Sequence, residues 1–209
     1  LIDYFPQIRW HSTDVELGLV TVIRDVFKMG VTILYQPSLP SLHLRGATFS
    51  VRDKPCIVLT DHIGFYPTLW FALLHELFHV LFDWEEIKAN DYHLSDEDTE
   101  QLSVKVKEEE ANNFAREYLF SKEKTQKISP HLKDRERVAE YAIINHVHPS
   151  FVYVFYATDA GNSDKWAWVK ARKENPEAMH RLLKPITNPW RNPKPIKEFI
   201  KPLKNKLYK

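Results

Sequence analysis

Apolar positions recur at helical spacing from Asp14 to Met29, with Asp14 or Thr13 placed as N-cap and Gly30 as the stop. Val31–Gln36 is β-branched and aromatic and predicts a strand; Pro37 to Leu42 is a loop marked by Pro and Ser. Ala47–Val51 and Cys56–Thr60 predict two more strands, with Arg52 to Pro55 as a hairpin connection. From Thr68 to Phe82 the chain is apolar almost all round, which predicts a buried helix. It is too short, and too interrupted by ionisable groups, to cross a bilayer. Asp83 to Glu100 is acidic and irregular and reads as a solvated loop, followed by a helix over about Leu102–Phe120. Helices are also expected over Asp134–Asn145, Pro149–Ala157, Lys165–Lys173 and Pro176–Leu183, and prolines then break up a Lys-rich tail.

With 209 residues the chain can build one good core and a small appendage. The expected division is a domain over 1–160, including a small helical subdomain at about 122–160, and a helical extension with a basic tail over 161–209. A net charge of +1 gives no global field for nucleic acid or membrane, although Lys184 to Lys209 holds eight Lys/Arg against Glu198 alone. One cysteine, Cys56, excludes an internal disulfide framework and fits a reducing compartment. With no signal peptide or membrane span in view, a cytoplasmic location is expected. The start at Leu1 rather than Met leaves room for a preceding segment, such as a DNA-binding domain.

The chemistry concentrates in the buried helix. His75-Glu76-Leu77-Phe78-His79 sets two histidines four apart, on one helical face, where both imidazoles can address one ion. Glu76 falls beside them, placed to act on a water rather than on the metal. Satisfied core polar groups are the bland alternative, but burying two histidines and a carboxylate is costly unless something pairs with them. A catalytic zinc takes three protein ligands and keeps a position open. Glu108, Glu109 and Glu110 offer the third. Glu108 shares its face with Ala111, Asn112, Ala115 and Leu119, the small and apolar side that can approach another helix, so Glu108 is the choice. Asn112, one turn on, is placed to fix a ligand by a hydrogen bond. The same set would also accept manganese or iron.

HELFH followed some thirty residues later by E-x-x-A-N-x-F-A resembles the ImmA/IrrE family of metallopeptidases, and so do Gly30–Tyr35, Leu44–Phe49 and Pro55–Leu59 upstream. The resemblance covers about Asp14 to Ala157 and extends to the subset associated with HigA-type antitoxins and mobile-element regulators. It implies an α+β, zincin-like fold of gluzincin type, with a small three-stranded sheet, a HExxH helix and a Glu-bearing helix. It implies His75, His79 and Glu108 as zinc ligands and Glu76 as general base. The partner it implies is a protein, a DNA-binding repressor or a cognate toxin or antitoxin. The chain departs from the family at Phe78, where a small residue is usual, and at Tyr118–Ser121, where Leu-Met-Pro is usual. No helix-turn-helix precedes the domain.

His43, Arg45, Tyr92 and His93 are candidates by residue type alone for an oxyanion donor. Val138–Tyr156 has the cadence of a helix-turn-helix, but its second helix offers Phe151, Tyr153, Phe155 and Tyr156 where base edges need polar side chains, so packing against the domain is expected. His146 and His148 share no helical face and read as turn residues. The basic tail reads as a solvated end, with phosphate contact as its alternative. The sequence thus predicts a zinc metallopeptidase with a narrow protein substrate. Its rival is a silent zincin-shaped binding module that acts as antitoxin or sensor.

Overall fold

The computed structural model describes residues 1–37, 44–61, 63–96 and 102–176. The expected 176–183 helix and the basic tail lie almost wholly outside these residues, as does His43. Four strands form one mixed sheet in the order β1 (Thr32–Gln36), β3 (Lys54–Thr60), β2 (Leu44–Val51), β4 (Tyr92–Asp96). β1 lies parallel to β3, while β2 is antiparallel to both β3 and β4. The class is α+β.

The β2–β3 hairpin turns at Arg52 and Asp53, both with positive φ, as the Arg52–Pro55 connection predicts. The fourth strand corrects the three-stranded expectation. The segment from Asp83 onward is no irregular loop: it forms α3 (Trp84–Asn90), turns at Asp91 with φ 67°, and enters β4. The acidic residues stand before the strand, at Asp83, Glu85, Glu86 and Asp91, and their density gives these short elements the polarity of a loop.

The chain opens with a 3-10 helix over Phe5–Thr13 that the sequence reading did not separate, and α1 runs over Gly18–Lys28 rather than from Asp14. The Asp14 carboxylate accepts from the Glu16 and Leu17 N–H groups at 3.1 and 3.0 Å, closing a turn before the helix begins. Gly18 is required there, because a Cβ would lie 1.8 Å from the His11 carbonyl oxygen. Gly30, with φ 95°, ends the segment as expected.

The central helix α2 (Tyr66–Phe82) packs on β2, β3, α4 (Leu102–Phe120) and α7 (Pro149–Ala160). Leu69, Trp70, Leu73, Leu74 and Leu77 are fully enclosed, so the apolar run is a core helix; only its end, at Phe82, is 61% exposed. The start of α2 is tied down by a residue distant in sequence. Asn175 Oδ1 accepts from the Tyr66 N–H at 2.7 Å, and Asn175 Nδ2 donates to the Gly64 carbonyl at 3.2 Å. Asn175 follows α8 (Lys165–Lys173), whose Ala167 and Ala171 belong to the same core cluster as α2.

After α4, Ser121 caps the short α5 (Lys122–Ile128), which the sequence reading also lacked. α6 (Arg135–Ile144) and α7 occupy the helix-turn-helix-like stretch. Phe151 to Phe155 of α7 are all buried, as expected of a packing helix. His146 sits in the turn with φ 56°, and His148 caps α7. No described helix is long and apolar enough to cross a membrane.

Candidate metal centre

Two helices build the centre. On α2, the four-residue spacing sets His75 and His79 side by side, with their Nε2 atoms 3.1 Å apart. α4 crosses α2 through Ala111, Ala115 and Leu119, all fully buried, and that small face brings Glu108 inward. Glu108 Oε2 lies 3.2 Å from His75 Nε2, and Oε1 lies 3.3 Å from His79 Nε2. Glu109 and Glu110 remain exposed. Helical phase thus turns Glu108, and not its two neighbours, toward the histidines.

The spacing tests whether a metal fits. Two donors each at about 2.0–2.1 Å from zinc, at a tetrahedral angle, stand about 3.3 Å from one another. The donor separations of 3.1, 3.2 and 3.3 Å match one face of such a polyhedron. His75, His79 and Glu108 are the group of metal-binding type found among the described residues. Both imidazoles are oriented from behind. His79 Nδ1 lies 2.8 Å from Asp83 Oδ2, and His75 Nδ1 lies 3.1 Å from Asn112 Oδ1. With Nδ1 held from behind, each Nε2 faces the centre, where it offers a proton to Glu108 or, once deprotonated, a lone pair to a cation. Two lone pairs facing at 3.1 Å repel unless a proton or a cation lies between them.

The local field favours positive charge. Burial works against protonation of His79, yet Asp83, Glu108 and Glu76 outweigh it and raise its pKa to about 9. Burial pushes Glu108 up, but hydrogen bonds from His75, His79 and His93 hold it well below the usual carboxylate range. Burial likewise raises Asp83, and its hydrogen bond with His79 takes it below its ordinary value. The field that draws a proton to His79 is the field that would hold a divalent cation, and the residues present fit one.

Glu76 is fully enclosed beneath β2, where its Oε2 accepts from Thr48 Oγ1 at 2.7 Å. Directly above lies Gly46, where a Cβ would come within 2.5 Å of Glu76 Oε1. The pairing of β2 with β4 slips between Leu44 and Gly46, leaving Arg45 as an extra residue beside the site.

The structure brings all four principal residues and Asn112 to one place. Of the four oxyanion candidates, His93 is drawn in, its Nε2 2.6 Å from Glu108 Oε1 and its ring 4.1 Å from that of His79. Arg45 lies over Phe71 at 5.8 Å, Tyr92 is exposed beside Phe49, and His43 falls outside the described residues. Phe78 packs against Phe82 and Phe114 at 4.7 and 5.1 Å. Asp83, Thr48 and Gly46 were missed. Asp83 follows His79 by four residues, so the rule that paired the histidines also reaches it. Thr48 and Gly46 carry no such signal, since only strand register sets them against Glu76.

Comparison of this chain with protein-family models, with curated proteins and with solved structures finds no match.

Proposed function

We propose that this chain is a metal-dependent peptidase of zincin-like, gluzincin-type architecture, with His75, His79 and Glu108 as ligands of a zinc-class cation. The convergence of those three side chains at tetrahedral spacing, each imidazole held from behind, carries the reading. When bound, such a cation supplies Lewis acidity to water and to a peptide carbonyl. Asp83 and Asn112 hold the Nδ1 side of each ring, so that Nε2 is the nitrogen aimed inward at a cation. His93 donates to Glu108 Oε1 and fixes the plane of that carboxylate. Glu76 takes a proton from the attacking water on a carboxylate oxygen and returns it to the leaving amine, while Thr48 holds the other carboxylate oxygen in place.

The family resemblance of the paired motifs supports a protein substrate, a DNA-binding repressor or a toxin–antitoxin partner. One observation favours a second reading, a binding module that cuts nothing: Glu76 is fully enclosed, so water must reach it by movement of β2 or of the side chain.

Metal analysis and cleavage assays on three variants decide between them. About one zinc per chain is expected, lost in His75→Ala and in Glu108→Ala; a full site in either variant would refute the ligand set. Glu76→Gln should keep zinc and stop cleavage of the cognate partner. Zinc retained by a wild-type protein that cuts no co-encoded protein selects the binding module.

A further inference from the structure

A cleft of about 730 Å3 opens beside the candidate metal centre, lined by residues of β2, α2, α4, α5 and α7. Small-ligand sites span volumes on the order of 300–1,000 Å3. Its wall is continuous with the centre. Asn112, which holds His75, lines the cleft, as does Phe71, whose ring lies 6.3 Å from that of His75. Arg45, next to the glycine covering Glu76, lines it as well.

Arg116 sets the chemistry of the cleft. Only 7% of the residue is exposed, and a buried guanidinium needs acceptors for its donors. Nη2 donates to Asp159 Oδ2 at 2.6 Å and to Thr125 Oγ1 at 2.8 Å, and the guanidinium lies over Phe155 at 4.3 Å. Nη1 is enclosed yet meets no acceptor among the described residues. Lys122 stands exposed on the rim. Arg116 and Lys122 together outnumber Asp159, so the lining carries surplus positive charge. A basic side chain entering here would meet like charge, and an apolar one would leave the Nη1 donors unpaired. A carboxylate satisfies both demands, and its methylenes fit against Phe71 and Phe155.

We propose that this cleft binds an acidic side chain, Asp or Glu, of the peptide substrate, with Arg116 as its hydrogen-bond donor and Lys122 as the second cation. The word substrate rests on the peptidase reading; the binding itself does not.

The test uses the full chain, isotope-labelled, titrated with acetyl-Ala-Glu-Ala-amide and its Gln and Lys counterparts. Affinities come from shifts of the cleft resonances, in zinc-loaded and in chelator-treated protein. The Glu peptide should bind about tenfold more tightly than the Gln peptide, and the Lys peptide more weakly than either. Lys122→Glu, a surface change that leaves the Arg116 ion pair intact, should erase most of that preference, and Arg116→Lys should reduce it further. Equal affinities, preference for Lys, or unchanged selectivity in Lys122→Glu would overturn the proposal. Selectivity in the chelator-treated protein bears on the cleft alone. A chain that selects Glu but neither holds zinc nor cleaves keeps this inference and loses the peptidase reading, and the converse result does the reverse.

Discussion

His79 owes its role to Asp83 as much as to its own position. The 2.8 Å contact from Nδ1 to Asp83 fixes the ring and its tautomer and makes Nε2 a better donor. Asp83→Ala should therefore leave the fold intact and weaken zinc binding by about 10- to 100-fold, read by competition with a chromophoric chelator. Asn112→Ala should weaken it on the His75 side. Gly46 governs Glu76 in a different way. A methyl at position 46 would fall 2.5 Å from Oε1, 2.7 Å from Cγ and 2.8 Å from Cδ, so the Glu76 side chain must shift and lose its bond to Thr48. Gly46→Ala should cost about 1–3 kcal/mol in denaturant unfolding and abolish turnover while zinc content stays near wild type. Turnover that survives this change would remove Glu76 from the chemistry.

Two elements, α2 and α4, carry the proposed ligands, and the buried small side chains of Ala111 and Ala115 let α4 approach closely. Ala115→Leu should force the helices apart at a cost of about 1–3 kcal/mol and loosen zinc through displacement of Glu108, without touching any ligand. Much of this pair was legible in the sequence. HExxH spacing fixed one face of α2, the all-round apolar pattern marked it as buried, and helical phase separated Glu108 from Glu109 and Glu110. β4 and α3 were not legible, because each is short and the acidic residues around them present the polarity of a loop. Thr48, Gly46 and His93 join the site only through β2–β3 and β2–β4 register, a long-range property that no local pattern encodes.

At α7 the start of the helix titrates. His148 Nδ1 accepts from the Ser150 N–H, which requires the neutral ring, and burial lowers the pKa of His148 despite the nearby Glu174. Below its ordinary value of 6.5 the unfolded chain binds a proton that the folded chain resists, so stability falls as pH drops through that window. Asn at this position keeps a cap acceptor without the titration. Between about pH 7.5 and about pH 5, His148→Asn should lose less melting temperature than wild type. Parallel loss in both proteins would place the acid sensitivity elsewhere.

At the scale of the molecule, the described sheet and helices share one core cluster, running from Phe5 and Val26 through Ile57 and Leu73 to Phe151 and Ala171. Among the described residues no separate core isolates the candidate centre, and Asn175 ties the end of α8 to the start of the helix that carries His75 and His79. Zinc binding to the folded state should therefore stabilise the described fold as a unit. By linkage, free zinc at a hundred times its dissociation constant adds about 2.7 kcal/mol, less whatever the unfolded histidines bind. Chelation should lower a single, cooperative melting transition measured by both far-UV and aromatic signals. His79→Ala should start from a lower melting temperature and show no response to zinc or chelator. If zinc shifted only the aromatic signal and left the far-UV transition in place, the centre would be coupled to α2 and α4 alone, and the helical layer of α6 to α8 would fold independently of it.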